Sequence, residues 1–141
     1  SAADRDALRA AVKRGVIGAI CSDHQPHEAD AKTNPFPLTE PGISGLETLL
    51  PLTLRLVQEK ILTPLQAVER LSTAPARIAG IAAGSLAVGQ SANLVLVDPA
   101  ARWTLDAETL LSNGRNTPFT GRVFTGQIRQ TLYRGQNVFS Q

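Results

Sequence analysis

Three side chains on one short stretch, Asp23, His24 and His27, are the ones whose types and spacing could do chemistry. Carboxylate oxygen and imidazole nitrogen together suit a divalent metal such as zinc. A carboxylate in the same place can also take up and release a proton. One Asp and two His are too few to close a metal site, however. The same residues have a plainer use, with Asp23 capping a turn and both histidines bonding the backbone. Spacing alone leaves both readings open.

The elements that must position these residues can be read around them. Residues 4–14 predict a short helix, with Asp4 as its cap, Leu8 and Val12 on one face and Gly15 just past its end. Val16 to Cys21 is an unbroken apolar run, the pattern of a strand buried on both faces as in parallel sheets. Cys21 then belongs to the core. The run ends at Ser22–His27, and the C-terminal ends of such strands are where ligands collect. Residues 28–43, with Pro35, Pro37, Pro41 and Gly42, predict a long functional loop.

Ser44 with Glu47 three residues on predicts a capping box that opens a leucine-rich helix, which Pro51 kinks or limits in its first turns. Thr63-Pro64-Leu65-Gln66 is another start signal, for a helix running to about Ser72. Thr73-Ala74-Pro75-Ala76 starts a shorter helix that stops near Gly80. From about Gly84 the pattern changes to short β-prone runs over 92–97, 102–105, 122–124 and 127–133. A tight turn at Arg134-Gly135 follows, before Val138 and Phe139. Trp103 reads as a core or interface anchor.

Two unlike parts result, 1–83 and 84–141. A doubly covered strand needs neighbours that no nearby residues encode, which points to an N-terminal partner segment. A chain of 141 residues with no Met, entering a helix at once from Ser1, reads as starting at a cut. At 43% hydrophobic and 18% charged residues the composition is that of a globular protein. A net charge of +2, scattered cations and 4% aromatics argue against nucleic-acid binding. No apolar run reaches the length of a membrane span, and nothing resembles a signal peptide. The single Cys21 fits a reducing cytoplasm.

Five motifs in order carry a resemblance that spans nearly the whole chain. Ser22-Asp23-His24-Gln25-Pro26-His27 is similar to the dihydroorotase signature that follows the eighth strand of a (β/α)8 barrel. Pro41-Gly42-Ile43-Ser44-Gly45-Leu46-Glu47-Thr48, Leu71–Arg77, Gly84–Asp98 and Asn116-Thr117-Pro118-Phe119-Thr120-Gly121 resemble further segments of that family, within the amidohydrolase superfamily. Hydantoinases and allantoinases share some of these elements but usually lack the second His, so His27 favours dihydroorotase.

The resemblance implies an α/β fold: the terminal β/α unit of a (β/α)8 barrel, then C-terminal strands of a small β-sandwich domain. It implies zinc with Asp23 as ligand and general base. It implies His27 on the substrate carboxylate, helped by the backbone at Pro41 and Gly42, and His24 orienting the loop. The reaction would interconvert carbamoyl-aspartate and dihydroorotate in pyrimidine synthesis. Asn116 and Arg115 are candidates for a ligand contact, but the Asn-Thr-Pro turn reads more readily as packing the small sheet against the barrel.

Two departures stand out. Gln25 occupies a position where the family usually has Ala, and Asn93 one where Asp is common. The other metal ligands of the family lie outside this sequence, so the isolated chain is expected to be inactive, with exposed apolar surface that favours a homo-oligomer or a partner. Some dihydroorotase-like chains are non-catalytic structural partners of aspartate carbamoyltransferase, and that is the alternative reading.

Overall fold

The computed structural model describes residues 1–141, Ala29 through its backbone only. Helix α1 spans Ala2–Arg14. Its cap is Ser1, whose hydroxyl accepts the Asp4 N–H, while the Asp4 side chain reaches back to Ser1. Asp4 is therefore the return half of a capping box and not the cap itself. Gly15, at φ 79°, closes the helix as its sequence position implies.

No strand forms over 16–21. The stretch is irregular, with the Ile20 N–H donating to the Arg70 carbonyl at 3.1 Å. Apolar residues alone cannot make a strand; a ladder partner is needed, and among the described residues none lies beside this run. The one strand-like pairing nearby is a parallel bridge between His24 and Ile43. Cys21 is exposed and so is not a core residue, for the same lack of a covering neighbour.

Residues 28–43 carry only two single turns, Ala29–Lys32 and Phe36–Leu38. Helix α2 spans Leu49–Gln58, later than the Ser44–Glu47 signal suggested. The expected capping box is absent because Glu47 bonds elsewhere: its carboxylate accepts the N–H groups of Leu111 and Ser112 at 2.9 and 3.2 Å. Pro51 sits in the first turn of α2, where its missing N–H leaves no bond unmade.

Helix α3, Pro64–Val68, has the full box between Thr63 and Gln66. It runs through a wide turn at Glu69–Thr73 into α4, Ala74–Ala79, which Gly80 ends at φ 67°. Val12, Leu62 and Ala67 form a small core joined by Ile17, Ile20, Leu56, Val57 and Ile61.

The predicted β-runs fuse into longer strands. They are β1 (Leu94–Thr104), β2 (Val123–Tyr133) and β3 (Gln136–Ser140), antiparallel in the order β1-β2-β3. The gap expected between 97 and 102 is an irregularity in β1. There Pro99 fits because no ladder bond is asked of it, and the Asp98 carboxylate accepts from Ala100 and Ala101 and pairs with Arg129. Trp103 is half-buried, stacks on Phe124 and donates to the Gly126 carbonyl, in keeping with an anchor. Helix α2 packs on β2, with Leu54 against Gly126.

Glu59 ties the helices together, with Arg55 at 2.6 Å and Arg9 of α1 at 3.0 Å. The hydrogen bond from Arg55, and then the charges of Arg9, Arg55 and Arg5, hold its carboxyl below the usual range. A carboxyl lowered on folding adds stability above its unfolded pKa and loses it as the pH falls through the lowered value. Acid titration of stability should therefore flatten slightly in Glu59→Gln below the ordinary carboxylate range. Identical acid limbs for the two chains would refute this.

Candidate active-site loop

The loop Ser22–His27 is held from two sides. From the first, Gln25 N–H donates to the Ile43 carbonyl at 2.9 Å. His24 Nδ1 accepts the N–H groups of Gly45 and Leu46 at 3.1 and 3.2 Å, so this nitrogen carries no proton. His24 thus fastens one loop to the other, as an orienting residue would. His27 Nε2 lies 2.9 Å from the Pro41 carbonyl; a carbonyl only accepts, so here Nε2 carries the proton.

The second side comes from far along the chain. Asn116 Oδ1 accepts the His27 N–H at 2.9 Å. Its Nδ2 donates to the Gln25 carbonyl at 2.9 Å and, at 3.5 Å, to that of Gly42. The Asn116 carbonyl accepts the Ser44 N–H. Sequence reasoning placed Asn116 in a packing turn; its carboxamide instead knits both halves of the candidate site. Arg115 pairs with Glu108. Gly114 is buried beneath the loop, where an added Cβ would lie 2.3 Å from Pro26 Cβ and 2.7 Å from the His27 nitrogen. Neither Asn116 nor Gly114 has a local signal, since each acts on residues about ninety positions earlier; the Asn-Thr-Pro motif was the one available pointer.

Asp23 stands apart from these ties. Its backbone is left-handed, φ 45°, a conformation that Asp tolerates better than most residues. Its side chain is exposed and has no hydrogen bond or ion pair among the described residues. Pro41 is exposed and Gly42 half-buried. Gly42 has φ 89°, and a Cβ there would fall 2.4–2.6 Å from the Gln25 side chain, which lies directly over it. The Gly42 N–H meets no acceptor among the described residues.

His27, Pro41 and Gly42 are thus tied to one another, with Asp23 on the same short loop, its carboxylate exposed and without a partner among the described residues. They do not make a metal site by themselves. Among the described residues no three His, Cys, Asp or Glu side chains gather to hold an ion, and one ligand is far short of the usual four. Two cavities lie nearby. One, of about 200 Å³, is apolar and lined by Cys21, Ile43, Thr48, Leu52 and Phe119. The other, of about 430 Å³, lies between α2 and the sheet, beside Trp103. Neither is lined by Asp23 or His27.

Loop, helices and three-stranded sheet match a known pattern: the amidohydrolase family covers residues 1–138, and the chain belongs to that family. Within it, the chain is 55% identical over 133 residues to a dihydroorotase-like protein of Pseudomonas aeruginosa, covering 94% of this chain and 31% of that one. It is 42% identical over 137 residues to a dihydroorotase of Geotalea daltonii, covering 97% and 32%. The fold superposes on dihydropyrimidinase from Brevibacillus agri with a TM-score of 0.88 at 28% identity, covering 96% of this chain and 31% of that one. The chain therefore spans about a third of the length of the relatives it matches. No helix is long and apolar enough to cross a membrane among the described residues.

Proposed function

We propose that this chain is the C-terminal segment of a dihydroorotase-type cyclic amidohydrolase, its first part a piece of the barrel and its second part strands of the small sandwich. Asp23 takes a proton from the attacking water and returns it to the ring nitrogen that leaves. His27, with the backbone at Pro41 and Gly42, receives the substrate carboxylate. The observation that carries this reading is the open Asp23 carboxylate on a loop whose two histidines are fastened to the backbone of the 41–46 segment. The unclaimed Gly42 N–H supports an anion at that point. Zinc would polarise the carbonyl and ease deprotonation of water; this chain offers it Asp23 alone, and the other ligands would come from the remaining two thirds of such a protein. The isolated 141 residues are therefore inactive, and their exposed apolar side chains, Leu65 and Ile78 among them, call for a partner segment or a second copy.

A second reading is favoured by Gln25. Its side chain covers Gly42, where the substrate carboxylate would approach, and the relative from Pseudomonas aeruginosa is called dihydroorotase-like. On this reading the protein is a non-catalytic structural partner of aspartate carbamoyltransferase.

One experiment separates the two. A chain of the relatives' full length, purified without chelator, should retain zinc and open dihydroorotate. If it stays metal-free and inert after zinc is supplied, the enzyme reading fails and the structural-partner reading stands.

A further inference from the structure

We propose that Asn116 is the positioning residue of the carboxylate-binding loop, setting where His27 and Gly42 stand relative to each other. The inference rests on the reading that His27, Pro41 and Gly42 meet the substrate. Asn116 is half-buried and comes from the connection between β1 and β2, yet none of its side-chain bonds goes to the sheet. Its carboxamide uses both ends: the oxygen accepts from His27, and the nitrogen donates to Gln25 and reaches Gly42. Its carbonyl fixes Ser44. One residue therefore bonds to both strips of backbone that would flank a bound carboxylate, and adds to the ties that Gln25 and His24 make. Gly114, two residues earlier, has no side chain, which lets this segment sit flush on Pro26. The His27–Pro41 bond joins the same two strips and depends on their spacing.

The arrangement also makes a chemical distinction. An aspartate at 116 keeps an acceptor for the His27 N–H, but it loses the donor and sets a negative charge against two carbonyl oxygens. An alanine loses both ties.

The test uses the chain labelled with ¹⁵N-histidine, which holds only His24 and His27. In Asn116→Ala the His27 amide should exchange about tenfold faster, the consequence of losing one hydrogen bond worth about 1.4 kcal/mol. The His27 Nε2 signal should shift as its bond to Pro41 loosens, while His24, held by Gly45 and Leu46, stays put. In Asn116→Asp the His27 amide should stay protected while its Nε2 signal still moves. That second variant keeps the inference testable if the alanine chain fails to fold. Unchanged His27 signals in folded variants would overturn the inference, as would shifts of His24 and His27 together, which mark general loosening. Because the readout is His27 itself, absence of turnover in the full-length protein would count against the proposed function and leave this result intact.

Discussion

Leu105→Ala is expected to destabilise the chain by about 2–5 kcal/mol, the range for emptying a closed apolar site. Leu105 is 1% exposed, and with Thr53 it is the largest side chain fully shut off from solvent. The cost should fall toward the upper part of that range, because the backbone around it cannot collapse. Its N–H donates to the Arg122 carbonyl at 3.0 Å, and its carbonyl accepts the Gly121 N–H at 2.8 Å. The residue is pinned on both sides just where β1 ends. Urea unfolding should show a lower midpoint at an unchanged slope. Leu65→Ala, at a residue 79% exposed, should change stability by no more than about 0.5 kcal/mol. If the two leucines cost the same, burial at 105 is not what holds that corner.

Gly114→Ala should cost about 1–3 kcal/mol or more, through crowding and not through loss of contact. The added methyl would meet Pro26 Cβ at 2.3 Å, Pro26 Cα at 2.6 Å and the His27 nitrogen at 2.7 Å. Two of these atoms are backbone and the third belongs to a proline ring, so none can rotate away. Either residues 112–116 lift off, breaking the Asn116 ties, or the loop shifts and carries His27 with it. Thermal unfolding should report a fall of several degrees, at roughly 3 °C for each kcal/mol. Gly18→Ala is the matched control, since a methyl there meets only Ile78 Cδ1, at an ordinary 3.6 Å. A Gly114→Ala chain as stable as wild type would mean that the loop has slack the structure does not show.

Helix ends were the most legible part of this sequence. Gly15, Thr63 with Gln66, and Gly80 act through groups within a few residues, so the local pattern carries the whole cause. Ser44 with Glu47 has the same local pattern and fails, because the amides of Leu111 and Ser112 claim the Glu47 carboxylate. A bond over more than sixty positions has no trace in a four-residue motif. The run 16–21 misled for a related reason: apolar character reports the capacity to be buried, whereas a strand also needs a partner edge. The β-runs were read in the right places but too short, since Asp98 and its neighbours bridge the interruption with side-chain bonds.

At the candidate site, residue types pointed to Asp23, His24 and His27, and to Gly42 by resemblance. The structure ties His27 to Pro41 and His24 to Gly45 and Leu46, and leaves Asp23 exposed on the same loop. Which groups are already engaged could not be read, because a histidine's partners lie wherever the rest of the chain places them. Asn116 was visible as part of a motif but not as a tie.

The bonds from Asn116 to Gln25 and His27 span 91 and 89 positions. Contacts this distant in sequence close late, after the loop entropy between them has been overcome. During synthesis the Asp23–His27 loop leaves the ribosome long before its anchor, so it cannot take its final shape until residue 116 has emerged and docked. Premature termination between residues 48 and 115 would leave Asp23, His24, His27, Pro41 and Gly42 all present and the loop without its anchor.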